Sequence, residues 1–231
     1  MSQQQVSKLP SSDSHTSAWL AAGVLLVTAL TLGIFLVSPL AAGAQGNITN
    51  LFALSSANVT WYVIRSAGIT AYLLLWFSTA WGLAIPTKIF DRYLNGNFTF
   101  DFHKFISLLS LGFLGLHIFV LLVDNYLPFT WAQILVPFMA PYRPVWVGIG
   151  SIALYLTVLV TITFYMRNKI GMKSFRLIHY SSLLAYFGAV GHAFFSGTDS
   201  SLPAAMLMYG STLLVVVFLT VYWLYVAVKK S

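Results

Sequence analysis

Residues 102–123 read FHKFISLLSLGFLGLHIFVLLV, an apolar run that carries His103 near its start and His117 further along. About 20 apolar residues are enough to cross the hydrocarbon core of a bilayer as a helix. The chain contains five more runs of this kind. We therefore predict an all-α, polytopic membrane protein with six transmembrane helices: Ala18–Val37, Trp61–Ile85, Phe102–Val123, Val145–Met166, Phe175–Phe195 and Ala204–Val228.

The amino-acid composition is that of a membrane protein. Hydrophobic residues make up 58% of the 231 residues and charged residues only 7%, whereas soluble domains carry about 25% charged residues. There is no cysteine, which excludes disulfides, thiolate metal sites and iron–sulfur clusters. The net charge is +7, and the charged residues lie in short loops between apolar runs. This distribution is explained by membrane topology and lipid contact, so we expect no nucleic-acid partner.

The predicted organisation is a polar N-terminal tail (residues 1–17), a transmembrane domain (18–228) and a short basic C-terminus (229–231). The first apolar run could instead be a signal peptide, since Ala42-Gly43-Ala44 resembles a cleavage site. We favour a retained span, because the apolar core is long and the leader holds a single lysine.

The distribution of Lys and Arg predicts the orientation. With the N-terminus inside, ten of the 12 Lys and Arg residues fall on the inner side, and only Arg65 and Arg143 fall outside. Positive charge is enriched in cytoplasmic loops, so both termini are predicted to be cytoplasmic. The segment 125–144 is rich in aromatics and proline, which predicts a short amphipathic or re-entrant piece on the outer face.

Four histidines lie within predicted spans: His103 and His117 in the third, and His179 and His192 in the fifth. Ionisable groups inside a membrane are costly and mark functional sites. Separations of 14 and 13 residues correspond to about 21 and 20 Å of helix, which places His103 with His179 at an inner level and His117 with His192 at an outer level. Two imidazoles per level suit the two axial positions of a haem iron. A zinc ion would require four ligands that converge at one point, whereas these histidines lie on two levels.

Glycines accompany both histidine pairs. A separation of 13 residues leaves the two histidines of the fifth span about 140° apart on an ideal helix, and Gly188 and Gly191 could permit a compensating bend. Gly112 and Gly115 precede His117. These glycines could let a flat macrocycle approach the backbone, or they could serve helix packing alone.

Cations near the histidines could pair with the propionates of a haem. Arg65, early in the second span, is a candidate for the outer propionates, with snorkelling to the headgroups as the alternative. Arg176, Arg92 and Lys104 could serve inner propionates, although the inner charge bias also explains them.

Four short motifs carry a family resemblance: Asp101-Phe-His103-Lys-Phe, Gly115-Leu-His117-Ile-Phe, Phe175-Arg-Leu-Ile-His179-Tyr and Gly191-His192-Ala-Phe. Over roughly residues 61–195 the chain resembles the ferric reductase-like transmembrane domain superfamily. That superfamily includes ferric reductases, NADPH oxidases and the haem subunit of a bacterial periplasmic methionine-sulfoxide reductase system.

The resemblance implies two stacked b-type haems, with His103, His179, His117 and His192 as axial ligands, and electron flow outward from the cytosol. It also implies Arg65 as a propionate partner. The standalone form is similar to the methionine-sulfoxide reductase subunit, and we expect a bacterial or archaeal plasma membrane.

Electron donor and acceptor are expected to be other molecules. No glycine-rich nucleotide fingerprint follows a strand, so we expect a separate cytosolic flavoprotein, or a reduced flavin (FMN or FAD), as donor. Ferric chelate, oxygen or a redox protein could be the external acceptor.

The sequence contains no general acid–base pair or nucleophile, so we expect an oxidoreductase component with no catalytic side chain of its own. Asp124 and Asp199 are expected to mark helix boundaries. The alternatives are a quinol-linked cytochrome b, a haem-bearing membrane anchor of a periplasmic reductase, and a haem-free transporter.

Overall fold

The computed structural model describes residues 59–90, 93–124, 127 and 129–230. The polar tail and the first predicted span, Ala18–Val37, lie outside the described residues, as does Arg92. Within the described part, all regular structure is helical, as predicted.

The helices are, in chain order, α1 (Val59–Ala84), α2 (Gly96–Val123), α3 (Trp131–Leu135), α4 (Pro144–Ile170), α5 (Met172–His179), α6 (Ser181–Ser196) and α7 (Pro203–Lys230). Among the described residues, α1, α2, α4 and α7 are each long and apolar enough to cross a membrane. The chain is therefore an integral, multi-pass membrane protein. These four helices correspond to the predicted second, third, fourth and sixth spans.

The predicted fifth span, Phe175–Phe195, is not one continuous helix. It is divided into α5 and α6, with the break at Tyr180. The hydroxyl of Ser181 donates to the carbonyl of Ile178 at 2.6 Å, and a serine bonded back to the preceding turn competes with the backbone ladder. The division lies directly after His179 and not at Gly188 or Gly191, and Tyr180 itself keeps helical backbone angles.

Helix ends follow from local residue chemistry. Asn95 caps α2 by accepting from the amide of Asn97 at 3.0 Å. Thr130 and Gln133 form a reciprocal capping box at the start of α3, which satisfies two otherwise unpaired amides. Gly171, with φ of 83°, ends α4. This backbone conformation favours glycine and allows α5 to begin at once.

The helices pack as two antiparallel pairs, α1 with α2 and α4 with α6, while α7 lies against α1 and α6. Between α1, α6 and α7 a buried cluster contains Tyr72, Leu83, Tyr186, Tyr209 and Val216. Helix α2 packs mainly on α1, and α6 packs mainly on α4 and also contacts α1. Following the predicted topology, the end that carries His117 and His192 is called the outer end.

The segment between α2 and α4 covers part of the outer end, in the region where the sequence predicts an amphipathic or re-entrant piece. Its helix α3 is amphipathic, since Ile134 is buried and Trp131 is exposed. Phe129, Ile134 and Ala140 form a second apolar cluster with residues of α2 and α4. The hydroxyl of Ser151 in α4 donates to the carbonyl of Ile134 at 2.7 Å, which fixes the segment to the bundle.

Candidate functional site

The four intramembrane histidines meet in two pairs. The ring centroids of His103 and His179 are 6.2 Å apart, with an interplanar angle of 78°. Those of His117 and His192 are 6.4 Å apart, with an angle of 77°. The partners are those that the 14- and 13-residue spacings predict. The two pairs have nearly the same geometry although they join different parts of the helices.

Both outer histidines are oriented by backbone carbonyls. Nδ1 of His117 lies 2.8 Å from the carbonyl oxygen of Ile64, and Nδ1 of His192 lies 3.0 Å from that of Trp146. Because a carbonyl only accepts, each Nδ1 must carry the proton. The lone pair of each ring is then on Nε2, the nitrogen available to a metal.

The inner histidines are held less tightly. Nδ1 of His103 lies 3.4 Å from the hydroxyl oxygen of Ser78. That hydroxyl is 2.6 Å from the one of Ser107, which donates to the carbonyl of His103 at 2.7 Å. Nδ1 of His179 is buried and has no hydrogen-bond partner among the described residues. Its ring contacts Phe175 of its own helix, at 5.2 Å between centroids.

Three glycines, which the sequence analysis did not single out, lie directly against three of these rings. A Cβ added at Gly68 would be 3.0 Å from Nδ1 of His117, one at Gly82 would be 3.0 Å from Cε1 of His103, and one at Gly150 would be 2.5 Å from Nδ1 of His192. Real Cβ atoms essentially never come closer than 3.0 Å. A side chain at Gly150 is therefore excluded unless His192 moves, whereas at Gly68 and Gly82 the facing ring would have to shift by a few tenths of an ångström.

Each of these glycines follows, by four residues, the group that accepts from the same histidine: Ile64 and Gly68, Ser78 and Gly82, Trp146 and Gly150. We call such a pair, with the acceptor at position i and glycine at i+4, a histidine notch. Positions four apart are neighbours on one helix face. In a notch, the acceptor therefore bonds Nδ1 of the ring, while the glycine leaves space for the ring beside it.

A signal for two notches was present in the sequence. Gly68 and Gly82 are 14 residues apart, as are His103 and His117. The antiparallel packing of α1 on α2 then brings both glycines to both histidines.

The glycines that the sequence analysis proposed lie elsewhere. Gly112 and Gly115 are exposed, and nothing lies within 4 Å of a Cβ added at Gly115. A Cβ at Gly188 would meet Ala153, and one at Gly191 would meet the ring of Trp146, at 3.3 and 3.4 Å. Gly188 and Gly191 thus serve the packing of α6 on α4, which is the helix-packing alternative.

A cavity of about 260 Å³ adjoins the outer pair. His117, His192, Gly68 and Gly150 line it, and Arg65 is also part of its wall. Arg65 forms an ion pair with Asp199, and its side chain is 22% exposed. The buried hydroxyl of Ser196, another lining residue, has no hydrogen-bond partner among the described residues. The cavity therefore combines imidazoles at one end with polar donors near the helix ends.

Two of the other proposed cations, Lys104 and Arg176, are among the described residues. Lys104 bonds to the exposed Asp101 at 3.2 Å, and Arg176 is exposed on α5. Arg92 lies outside the described residues. Asp124 ends α2, where its carboxylate accepts from the amide of Leu127 at 2.9 Å and from the hydroxyl of Thr60. Asp124 therefore acts as a helix-boundary residue.

Chemically, each pair offers two imidazole nitrogens and no third protein ligand. Within the described residues no three His or Asp side chains come together as a metal-ion site. Imidazole nitrogens bind first-row metals at about 2.0–2.1 Å, so a metal held between two rings would place their centroids about 6.3 Å apart. Three of the histidines lie in notches that leave Nε2 free for a metal. This arrangement suits a metal-centred group that takes two axial ligands, and the unpartnered Nδ1 of His179 is compatible with it.

Comparison of the chain with protein-family models, with curated proteins and with solved structures gave no match.

Proposed function

We propose that this chain carries electrons across the membrane through two b-type haems, each held by two histidines. The donor would be a cytosolic flavoprotein or reduced flavin, and the acceptor would be external, as in ferric reductase-like proteins. The observation that carries the proposal is the pairing of four intramembrane histidines at 6.2 and 6.4 Å between ring centroids.

The separation of the rings is compatible with a metal between them, but direct packing of aromatic rings also spans about 4.5–7 Å. The orientation of the rings favours the metal. Nδ1 of both outer histidines faces a backbone carbonyl, which leaves Nε2 as an acceptor. An acceptor nitrogen inside a membrane needs a proton donor or a metal, and two acceptors cannot satisfy each other.

A haem suits these pairs better than a bare metal ion. A porphyrin supplies four nitrogens in a plane and takes two axial ligands from the protein, which matches two imidazoles per level. When bound, the haem iron supplies one-electron chemistry by alternating between the ferric and ferrous states. His103 and His179 would hold the inner group, and His117 and His192 the outer one.

The chain's own residues provide spacing, orientation and exclusion of water. The two levels on α2 are 14 residues apart, or about 21 Å along the helix. The carbonyls of Ile64 and Trp146 fix the outer rings, and donation from Nδ1 also strengthens a histidine as a metal ligand. Arg65 could pair with an outer propionate if its contact with Asp199 is exchanged.

The remaining parts of the proposal concern topology and partners. Six spans with both termini cytoplasmic would place the inner pair nearest the donor. The inner-end cations of α4 and α5, Arg167, Lys169, Lys173 and Arg176, suit an acidic flavoprotein. Ferric chelate, oxygen or a redox protein could accept electrons at the outer end.

The proposal can be tested in liposomes that contain the purified protein and entrapped ferricyanide, with dithionite added outside. We expect ferricyanide to be reduced faster than in protein-free liposomes, because the two haems connect the two sides. His103→Ala and His117→Ala should each return the rate to the protein-free level, since each interrupts one level. His15→Ala, in the polar tail, is the matched control and should keep the wild-type rate. A wild-type rate equal to that of protein-free liposomes would refute the proposal.

A further inference from the structure

His179 differs from the other three histidines in its surroundings. His103, His117 and His192 each lie in a notch on a neighbouring helix, with an acceptor for Nδ1 and a glycine beside the ring. Nδ1 of His179 is buried without a partner in the described part of the chain. A hydrogen bond from Nδ1 orients a metal-bound imidazole and strengthens its bond to the metal. His179 lacks both effects.

The register of α4 points to Thr163 as the position of a fourth notch. His192 lies against Gly150 of α4, and His179 precedes His192 by 13 residues. Because α4 and α6 are antiparallel, the same 13 residues counted onward from Gly150 lead to Thr163; His179 itself lies on α5, which also packs on α4. Thr163 is buried, and its hydroxyl donates to the carbonyl of Leu159 at 2.9 Å.

The side chain of Thr163 therefore has two consequences at this position. A threonine stands where the other notches have glycine. It also occupies the carbonyl four residues earlier, which is the group that accepts from histidine in the notches of Ile64 and Trp146.

The helix that carries His179 packs on α4 but buries little of its surface. Helix α5 has eight residues, none of which is buried. Gly171, with φ of 83°, precedes it, and the break at Tyr180 follows it. Elements with few buried apolar contacts open at lower free energy than the rest of a fold. His179 can therefore move with α5 at a smaller cost than its partner His103, which lies in the closely packed pair α1 and α2.

We propose that His179 is the one displaceable ligand of the four, so that the inner haem binds small uncharged ligands such as carbon monoxide while the outer haem does not. This rests on the proposed function. In the exchange, His179 would release its Nε2 from the ferrous iron, and the carbon of carbon monoxide would take that position. No electron is transferred, and His179 keeps its Nδ1 proton. Thr163 is the positioning residue that keeps His179 unanchored.

The test is a carbon monoxide titration of the dithionite-reduced, detergent-purified full chain, after the haem content has been measured. We expect two haems per chain and one bound carbon monoxide for every two haems. If two haems are present and either none or both bind carbon monoxide, the inference is wrong while the proposed function stands. If the folded protein contains no haem, the proposed function fails first.

A pair of substitutions in α4 tests the role of Thr163. Thr163→Gly opens the fourth notch and frees the Leu159 carbonyl for His179, so we expect carbon monoxide affinity to fall at least several-fold at unchanged haem content. Thr161→Gly is the matched control, because the Thr161 hydroxyl bonds the carbonyl of Thr157 in the same way, at 2.8 Å. Its affinity should stay at the wild-type value. Equal affinities in the two variants would overturn the role of Thr163.

Discussion

At the residue scale, the closest approach in the site is between Gly150 and the ring of His192. A Cβ at this position would lie 2.5 Å from Nδ1, and the same nitrogen bonds the carbonyl of Trp146 at 3.0 Å. The ring is therefore confined between a backbone surface and a carbonyl. A single methyl group cannot be added without moving the imidazole out of this position.

We expect Gly150→Ala to release the outer haem selectively. The added methyl pushes His192 from the Trp146 carbonyl, and overpacking of this kind costs about 1–3 kcal/mol. Haem content should fall towards one per chain, and thermal unfolding should shift to lower temperature. Gly210→Ala is the control, since nothing lies within 4 Å of a Cβ there, and removing a helix-interior glycine should stabilise by about 0.5–1 kcal/mol. If Gly150→Ala kept two haems per chain, the proposed role of Gly150 in positioning His192 would be wrong.

The histidines were predictable from the sequence, and two of the three notch glycines could have been. Imidazoles are rare and costly within a membrane, so the helical spacing of His103, His117, His179 and His192 indicates their partners. A glycine gains its role only from the neighbour it faces. The 14-residue interval between Gly68 and Gly82 gives that neighbour once α1 and α2 are known to be antiparallel. Gly150 has no such interval in the sequence.

At the element scale, the long apolar helices agree with the predicted spans, whereas the fifth predicted span is divided. Length and composition suffice for α1, α2, α4 and α7. No proline or glycine near Tyr180 signals the break in the sequence. It accompanies a hydroxyl of Ser181 that bonds the preceding turn, and serines do this only in some surroundings. The break separates His179 from His192.

The outer segment depends on Asp124, at the end of α2. Its side chain is buried, with the residue 2% exposed, and it accepts from Thr60 and from the amide of Leu127. Asp124→Ala leaves both donors unpaired, which should destabilise the protein by about 1–3 kcal/mol.

Thermal unfolding in detergent measures this difference. The control is Asp101→Ala, which removes a carboxylate whose side chain is 62% exposed and paired with Lys104. Such surface pairs contribute only about 0–1 kcal/mol, so its midpoint should stay near that of wild type. Equal midpoints for the two variants would refute the anchoring role of Asp124.

At the scale of the whole molecule, composition alone predicts the membrane and charge predicts the orientation. The cavity beside the outer histidines could not be predicted in this way. It depends on the packing of α2 on α1 and of α6 on α4, and no local sequence pattern encodes which helices pack together. Spacing does predict two levels of histidines. The proposal that each level holds one haem, and that the two levels conduct electrons in series, follows from that arrangement and from the 6.2 and 6.4 Å separations.

The most direct measurement is the number of b-type haems per folded chain, by pyridine haemochrome assay, in wild type and in the four single His→Ala variants. We predict two haems in wild type. His117→Ala and His192→Ala should lose the same spectral component, and His103→Ala and His179→Ala the other. One haem or none in the folded wild type would contradict the account, as would losses that pair His103 with His117.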